Sequence, residues 1–197
     1  MGKLRELLFG EYNSLERALK NPNRVKRLRL HFTANIDDFA EDFLKFSKLS
    51  SLYVLVGGGY SKLLPEQIGE LKTLTELAII NVPFKEFPLW ITRLYRLKRL
   101  YLRGFDFLEL HPDVKKMDNL KELSLENCDF TIIPEDIRDL ENLRMLSFNA
   151  DWLLKVEENR LPEKLEELNV FRHQIDDKVL KELKEKRPLL KINFYDR

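Results

Sequence analysis

Apolar residues return along the chain as L-x-x-L-x-L, three buried-type positions with polar neighbours between them. The pattern occurs as Val25/Leu28/Leu30, Leu49/Leu52/Val54, Leu74/Leu77/Ile79, Leu97/Leu100/Leu102, Leu120/Leu123/Leu125, Leu143/Leu146/Phe148, Leu165/Leu168/Val170 and Leu189/Ile192/Phe194. Successive starts lie 24, 25, 23, 23, 23, 22 and 24 residues apart. The fourth and sixth positions alternate with polar residues, so each unit predicts a short strand that turns both apolar side chains to one side. A period of this length is that of a repeat protein, in which no unit buries its apolar face alone and stacking supplies the core.

A second signature follows the first. After Leu74 come Phe84, Phe87, Pro88, Ile91 and Leu94; after Leu120 come Phe130, Ile133, Pro134, Ile137 and Leu140. The segments LLPEQIGEL (63–71) and LHPDVKKM (110–117) keep the motif with a slip of two residues and one residue. These stretches predict short helices or helical turns that return the chain, with proline near their start, where no N–H is required. Stacked strand-and-return units make a parallel sheet.

The ends differ from the middle. Leu4, Leu7, Leu8, Leu15, Ala18 and Leu19 form apolar stripes on one broken helix or two short ones, with a break near Gly10, and NPN (21–23) turns the chain toward the first strand. At the other end DDKVLKELKEKRP (176–188) predicts a helix with Asp176 or Asp177 as N-cap and Val179, Leu180 and Leu183 facing inward, followed by an edge strand in LLKINFYD. The organisation expected is one domain: a helical cap over 1–24, repeats over 25–175, and a capping helix and edge strand over 176–197. Both ends read as closed, as in a complete domain.

The wording L-x-x-L-x-L-x-x-N/C followed by L-P-x-x-I resembles the leucine-rich repeat family over about residues 25–194, and EQIGELKTLTEL and PEDIRDLENLRML resemble its bacterial members. NSLERALKNPNRVKRLRL is similar to the helical lead-in of many of them. The resemblance implies an α/β solenoid, a right-handed superhelix with a curved parallel sheet on the concave face and short helices or turns on the convex face. Cys128 stands at the ninth position of its unit, where the family places Asn or Cys to bond backbone between turns. Thr33, Gly57, Val82, Phe105, Asp151 and His173 occupy that position elsewhere, so the asparagine ladder is mostly missing and irregular turns are expected.

Composition narrows the function. Hydrophobic residues make up 44% and charged residues 34%, a globular profile, and the net charge of +1 offers no basic excess for nucleic acid. No apolar run reaches the ~18–20 residues of a membrane span. The N-terminus lacks the continuous apolar core of a signal peptide. One cysteine forms no internal disulfide, which suits a reducing compartment. The expected location is the cytoplasm.

Catalytic chemistry finds no footing. Cys128 has no local base, and the repeat already accounts for it. His31, His111 and His173 are not at metal-ligand spacing, and the carboxylates of IDDFAEDF (36–43) and EKLEEL (163–168) alternate with core residues. VGGGYSK (56–62) lacks both the G-x-G-x-x-G and the G-K-[ST] endings of phosphate loops, and reads as an insertion. The chain is therefore expected to be no enzyme and to carry no cofactor or metal.

What remains is a surface. The third, fifth and seventh positions of each unit face outward on about eight strands, roughly 35 Å along the stack. Tyr53, Leu55, Ile80, Arg99, Tyr101 and Arg103 fall side by side there, with Glu126 and Phe171 further along. This is the aromatic, aliphatic and arginine mixture of interface hot spots. A basic end at Lys26, Arg27, Arg29, Lys98 and Arg99 grades toward Glu122, Glu126, Glu166 and Glu167. The resemblance implies a protein or peptide as the usual ligand. The expected function is a non-enzymatic protein-interaction module acting through the concave face. The alternative is a regulatory or structural subunit that self-associates through the last strand, KINFYDR, or through the convex face, where Trp90 and Tyr95 are candidate exposed aromatics. A monomer is expected, with neither nucleic acid nor membrane as partner.

Overall fold

The computed structural model describes residues 6, 8–32, 37–57, 64–82, 84–106, 109–128, 133–149 and 155–195. Residues Leu4, Leu7, Thr33, Phe130 and Asp151, and most of the VGGGYSK segment, lie outside the described residues. Strands β1 (Glu11–Tyr12), β2 (Arg27–Phe32), β3 (Ser51–Val56), β4 (Glu76–Ile80), β5 (Arg99–Phe105), β6 (Glu122–Cys128), β7 (Met145–Asn149), β8 (Glu167–Val170) and β9 (Lys191–Phe194) form one parallel sheet in sequence order. Corresponding repeat positions stand in register, as in Ile79↔Leu102↔Leu125↔Phe148. The architecture is a curved α/β solenoid.

The period-two pattern explains the layering. The first, fourth and sixth positions of the seven units from Val25 to Val170 are all buried. The returns are mostly 3-10 turns, including Glu66–Glu70, Leu89–Arg93, Pro112–Lys116 and Glu135–Asp139. Pro65, Pro88 and Pro134 stand just before three of them, and Ile68, Ile91 and Ile137 point from them into the core. Each such buried aliphatic side chain contributes roughly 1.5–3 kcal/mol. Together they form one continuous core.

The missing asparagine ladder has two substitutes. At the ninth position, Val82 and Phe105 are buried, and Phe105 stacks on Phe84 at 5.6 Å, so apolar packing holds the turn. The residue just before three of the units supplies polar rungs instead. Thr73 donates to the Leu49 carbonyl (2.7 Å), Asn119 to that of Tyr95 (2.8 Å) and Asn142 to that of Asp118 (2.9 Å), each reaching back one coil. Three consecutive units share a further regularity at the eighth position. Asn81, Gly104 and Asn127 adopt φ of 58°, 74° and 48°, the left-handed region that Asn and Gly tolerate. The sequence shows the matching residue types at one repeat position, a signal easily overlooked beside the ninth.

Both ends depart from expectation. At the front, the chain breaks at Gly10 as predicted, but then adds β1 beside β2 before Ser14 caps helix α1 (Leu15–Leu19). Tyr12, Leu15 and Ala18 are buried, whereas Leu8 is exposed rather than inward. At the back, helix α2 (Asp177–Lys186) starts at the expected N-cap Asp176, although its carboxylate pairs with Lys155 and makes no capping hydrogen bond. Leu183 is buried and Val179 and Leu180 pack on the core. The eighth unit is not closed: Leu189 is 90% exposed and Phe194 40%, because among the described residues no coil stacks outside β9.

Arg187 fastens α2 to the preceding coil. Its guanidinium donates to the Pro162 carbonyl (2.7 Å), the Leu161 carbonyl (3.3 Å) and Glu158 (3.3 Å). Arg187→Ala is expected to cost about 1–3 kcal/mol by urea titration, since it frees two carbonyls and a carboxylate at a half-buried contact.

Candidate functional site

Alternation along the strands sends the third, fifth and seventh positions to the concave face. The third row is a chain of charges: Glu11 pairs with Arg27 (2.5 Å), and Arg99 lies between Glu76 and Glu122. The basic end anticipated from Arg27 and Arg99 is thus largely neutralised by carboxylates in the same row, and the charge gradient along the face is shallower than the bare sequence suggests.

The fifth row alternates large and small. Tyr53 on β3, Ala78 on β4, Tyr101 on β5, Ser124 on β6 and Ser147 on β7 stand in register. They line one open groove of about 440 Å³ together with Tyr195. Tyr195 follows β9, where its N–H donates to the Val170 carbonyl (3.0 Å), and its side chain lines the groove together with Ser147. Its ring lies 5.4 Å from Phe171, which stacks on His173. Ser147 is buried, and Asn169 and Asn193 continue the polar line through Asn169 to Ser147 (3.0 Å) and Asn193 to Asn169 (2.8 Å). Sequence reasoning placed Tyr195 in the outward row but not among the site residues. Its reach back over two strands follows from side-chain length at the sheet end, which no repeat position encodes.

The candidate residues divide as follows. Tyr53, Arg99, Tyr101, Glu126 and the small residues share the groove. Arg29 lies over the Tyr53 ring (5.7 Å). Tyr101 donates to Glu126, and burial together with that carboxylate pushes its phenol well above the usual range, so it stays a neutral donor. Arg103 is exposed beside Tyr101. Leu55 and Phe171 are half-buried on the seventh row. Ile80, expected to be exposed, is buried: it sits in register between Leu55 and Arg103, whose bulk flanks it.

The convex face also differs from expectation. Trp90 is buried, while Tyr95 and Leu89 are half-exposed. A groove of about 700 Å³ runs past Phe84, Phe87 and Leu89. Among the described residues there is no cluster of three or more potential metal ligands, and no helix long and apolar enough to cross a membrane. Cys128 lies at the end of β6, in register with Phe105.

A family profile described as a leucine-rich repeat region matches residues 45–186. No curated protein sequence matches the chain. Among solved structures, a leucine-rich repeat protein of Leptospira interrogans superimposes with a TM-score of 0.61 at 21% identity, over 87% of this chain and 49% of that one. The leucine-rich repeat domain of the type III effector XopL gives 0.62 at 17%, over 91% and 71%. Internalin C2 of Listeria monocytogenes gives 0.63 at 18%, over 90% and 84%. The chain spans about half the length of the Leptospira protein. Likeness at these identities is one of fold, whereas the profile covers most of this sequence, over coils whose repeat positions fill the core. The chain belongs to the leucine-rich repeat family.

Proposed function

We propose that this chain is a non-enzymatic recognition module that holds a protein or peptide on its concave face. The observation that carries the reading is the fifth-row groove, where tyrosines and small residues alternate along a rigid sheet. Tyrosine supplies large, amphipathic contact area at low entropic cost, and the surrounding charged row supplies orientation more than affinity. Proteins of this family generally bind protein partners, and the groove supports the reading that this chain does so on its concave face.

The triple variant Tyr53→Ala, Tyr101→Ala and Arg103→Ala tests it. Affinity capture from the native host is expected to lose the partners that the wild-type chain retains, while circular dichroism stays unchanged. Retention of the same partners by a folded variant assigns binding to another face. A second reading, self-association through β9, draws on the exposure of Leu189 and Phe194. Light scattering over a concentration series separates the two, a constant monomer mass excluding the second.

A further inference from the structure

The concave groove has a period of its own. Walls of aromatic side chains rise at β3 (Tyr53), at β5 (Tyr101) and, through Tyr195, which lines the groove together with Met145 and Ser147 of β7, at its far end. Between them the surface falls to Ala78 on β4 and to Ser124 on β6, both accessible. Beyond Tyr195 the next low position is Asn169 on β8, beside Glu167. Hollows and walls thus each recur every second strand, roughly 9.6 Å at the ordinary spacing of a sheet.

A ligand crossing the strands must present side chains at that interval. An extended β-strand repeats its same-face side chains every ~6.8 Å and falls out of step. An α-helical turn of ~5.4 Å matches neither one strand nor two, and seven residues of helix, ~10.5 Å, drift by almost 2 Å over two intervals. A polyproline II helix turns in three residues of ~3.1 Å each, about 9.3 Å, and stays in step across the groove. Its proline rings pack on tyrosine faces, and its backbone enters already ordered, so little conformational entropy is lost. Its unbonded carbonyls suit a donor beside the walls, such as the exposed Arg103 guanidinium next to Tyr101.

The charge pattern gives such a ligand a direction. Glu76 and Glu122 both lie near Arg99, whereas Glu167, though in register with Lys191, takes its hydrogen bond from the neutral amide of Asn193 (2.9 Å) and, among the described residues, makes no ion pair within 4.0 Å. A cation on the ligand therefore gains most at the β8 end.

Resting on the concave-face reading above, we propose that the groove takes a proline-rich segment of a partner protein in the polyproline II conformation. The segment runs across the strands with one proline over Ala78 and a second, three residues on, over Ser124. A Lys or Arg three residues further lies at Glu167.

Display of random peptides of about twelve residues, long enough in polyproline II to span the sheet, against the full 197-residue chain tests this. Wild type is expected to enrich Pro-x-x-Pro-x-x-Lys/Arg. A fluorescein-labelled synthetic peptide of that sequence is expected to bind at least tenfold more weakly to Ala78→Tyr and to Ser124→Tyr, which fill one hollow each without touching the core, and about tenfold more weakly to Tyr101→Ala. Leu89→Ala, on the convex side, is expected to leave its affinity unchanged. Enrichment of peptides without a three-residue proline period that are still lost from Ala78→Tyr overturns the inference and leaves the concave face as the binding surface. Enriched peptides indifferent to both filling variants overturn the inference and the concave reading together. A library from which wild type selects nothing also overturns the inference, and the host-capture comparison then decides the concave reading alone.

Discussion

Leu102→Ala is expected to remove about 3–5 kcal/mol of stability, whereas Tyr101→Ala, one residue away, removes less than about 1 kcal/mol. Leu102 occupies the sixth position of the central coil, is fully buried and stands in register between Ile79 and Leu125. Truncation loses its transfer free energy and leaves a cavity that two neighbouring coils line. Those coils are fixed by their own ladders and do not collapse into it. In a fold whose total stability is of the order of 5–15 kcal/mol, such a loss approaches the unfolding threshold. Tyr101 points the other way and forfeits chiefly its hydrogen bond to Glu126 at an open surface. Urea titrations of the two variants compare these costs directly. Equal costs for both would mean that the side-chain alternation along β5 has been misassigned.

Gly10→Ala is expected to cost about 2–4 kcal/mol, concentrated at the front edge. Gly10 adopts φ of 65°, and a Cβ there would lie 2.2 Å from the Arg24 carbonyl oxygen. Its own carbonyl accepts from Lys26 N–H (2.8 Å) and Arg27 N–H (3.0 Å), so relief of the clash pulls the lead-in away from the foot of β2. Hydrogen exchange is the measurement: amides of Lys26 and Arg27 should lose protection while those of β5 and β6 keep theirs. Gly10→Asn separates the causes. Asn tolerates the left-handed backbone but shares the clash, so it is expected to be nearly as damaging as Ala. Recovery of half the loss or more by Asn would point to backbone strain alone.

The contrast between these two sites shows how much of the fold was legible in the residues. Leu102 was readable because every coil repeats its environment, and seven units agree on which positions lie inside. Strand β1 was not, since two residues carry no periodicity and their pairing depends on the turn that Gly10 permits. Alternation likewise assigned Ile80 to the outward row correctly, yet missed its burial, because exposure there depends on the bulk of Leu55 and Arg103 on adjacent strands. Trp90 was misread for a related reason: it lies in a return turn, Leu89–Arg93, whose packing into the core strand alternation does not describe. On the candidate site, the tyrosine row at Tyr53 and Tyr101 followed from counting, while Tyr195 entered by lining the same groove as Ser147, a matter of tertiary geometry.

Strand order in the sheet is the order of the sequence, and each strand pairs only with the strands before and after it. Contacts therefore seldom span more than a coil or two, and the molecule has length but no topological knot to protect. Duplicating or excising one whole unit between equivalent positions, for example from Leu100 to Leu123, lengthens or shortens the ribbon by a single step of roughly 4.8 Å and leaves every surviving neighbour pair intact. For a surface whose walls recur on alternate strands, gaining one unit would put the tyrosines out of phase while gaining two would restore them. Growth by pairs of units would thus lengthen such a ribbon without disturbing the alternation along its inner face.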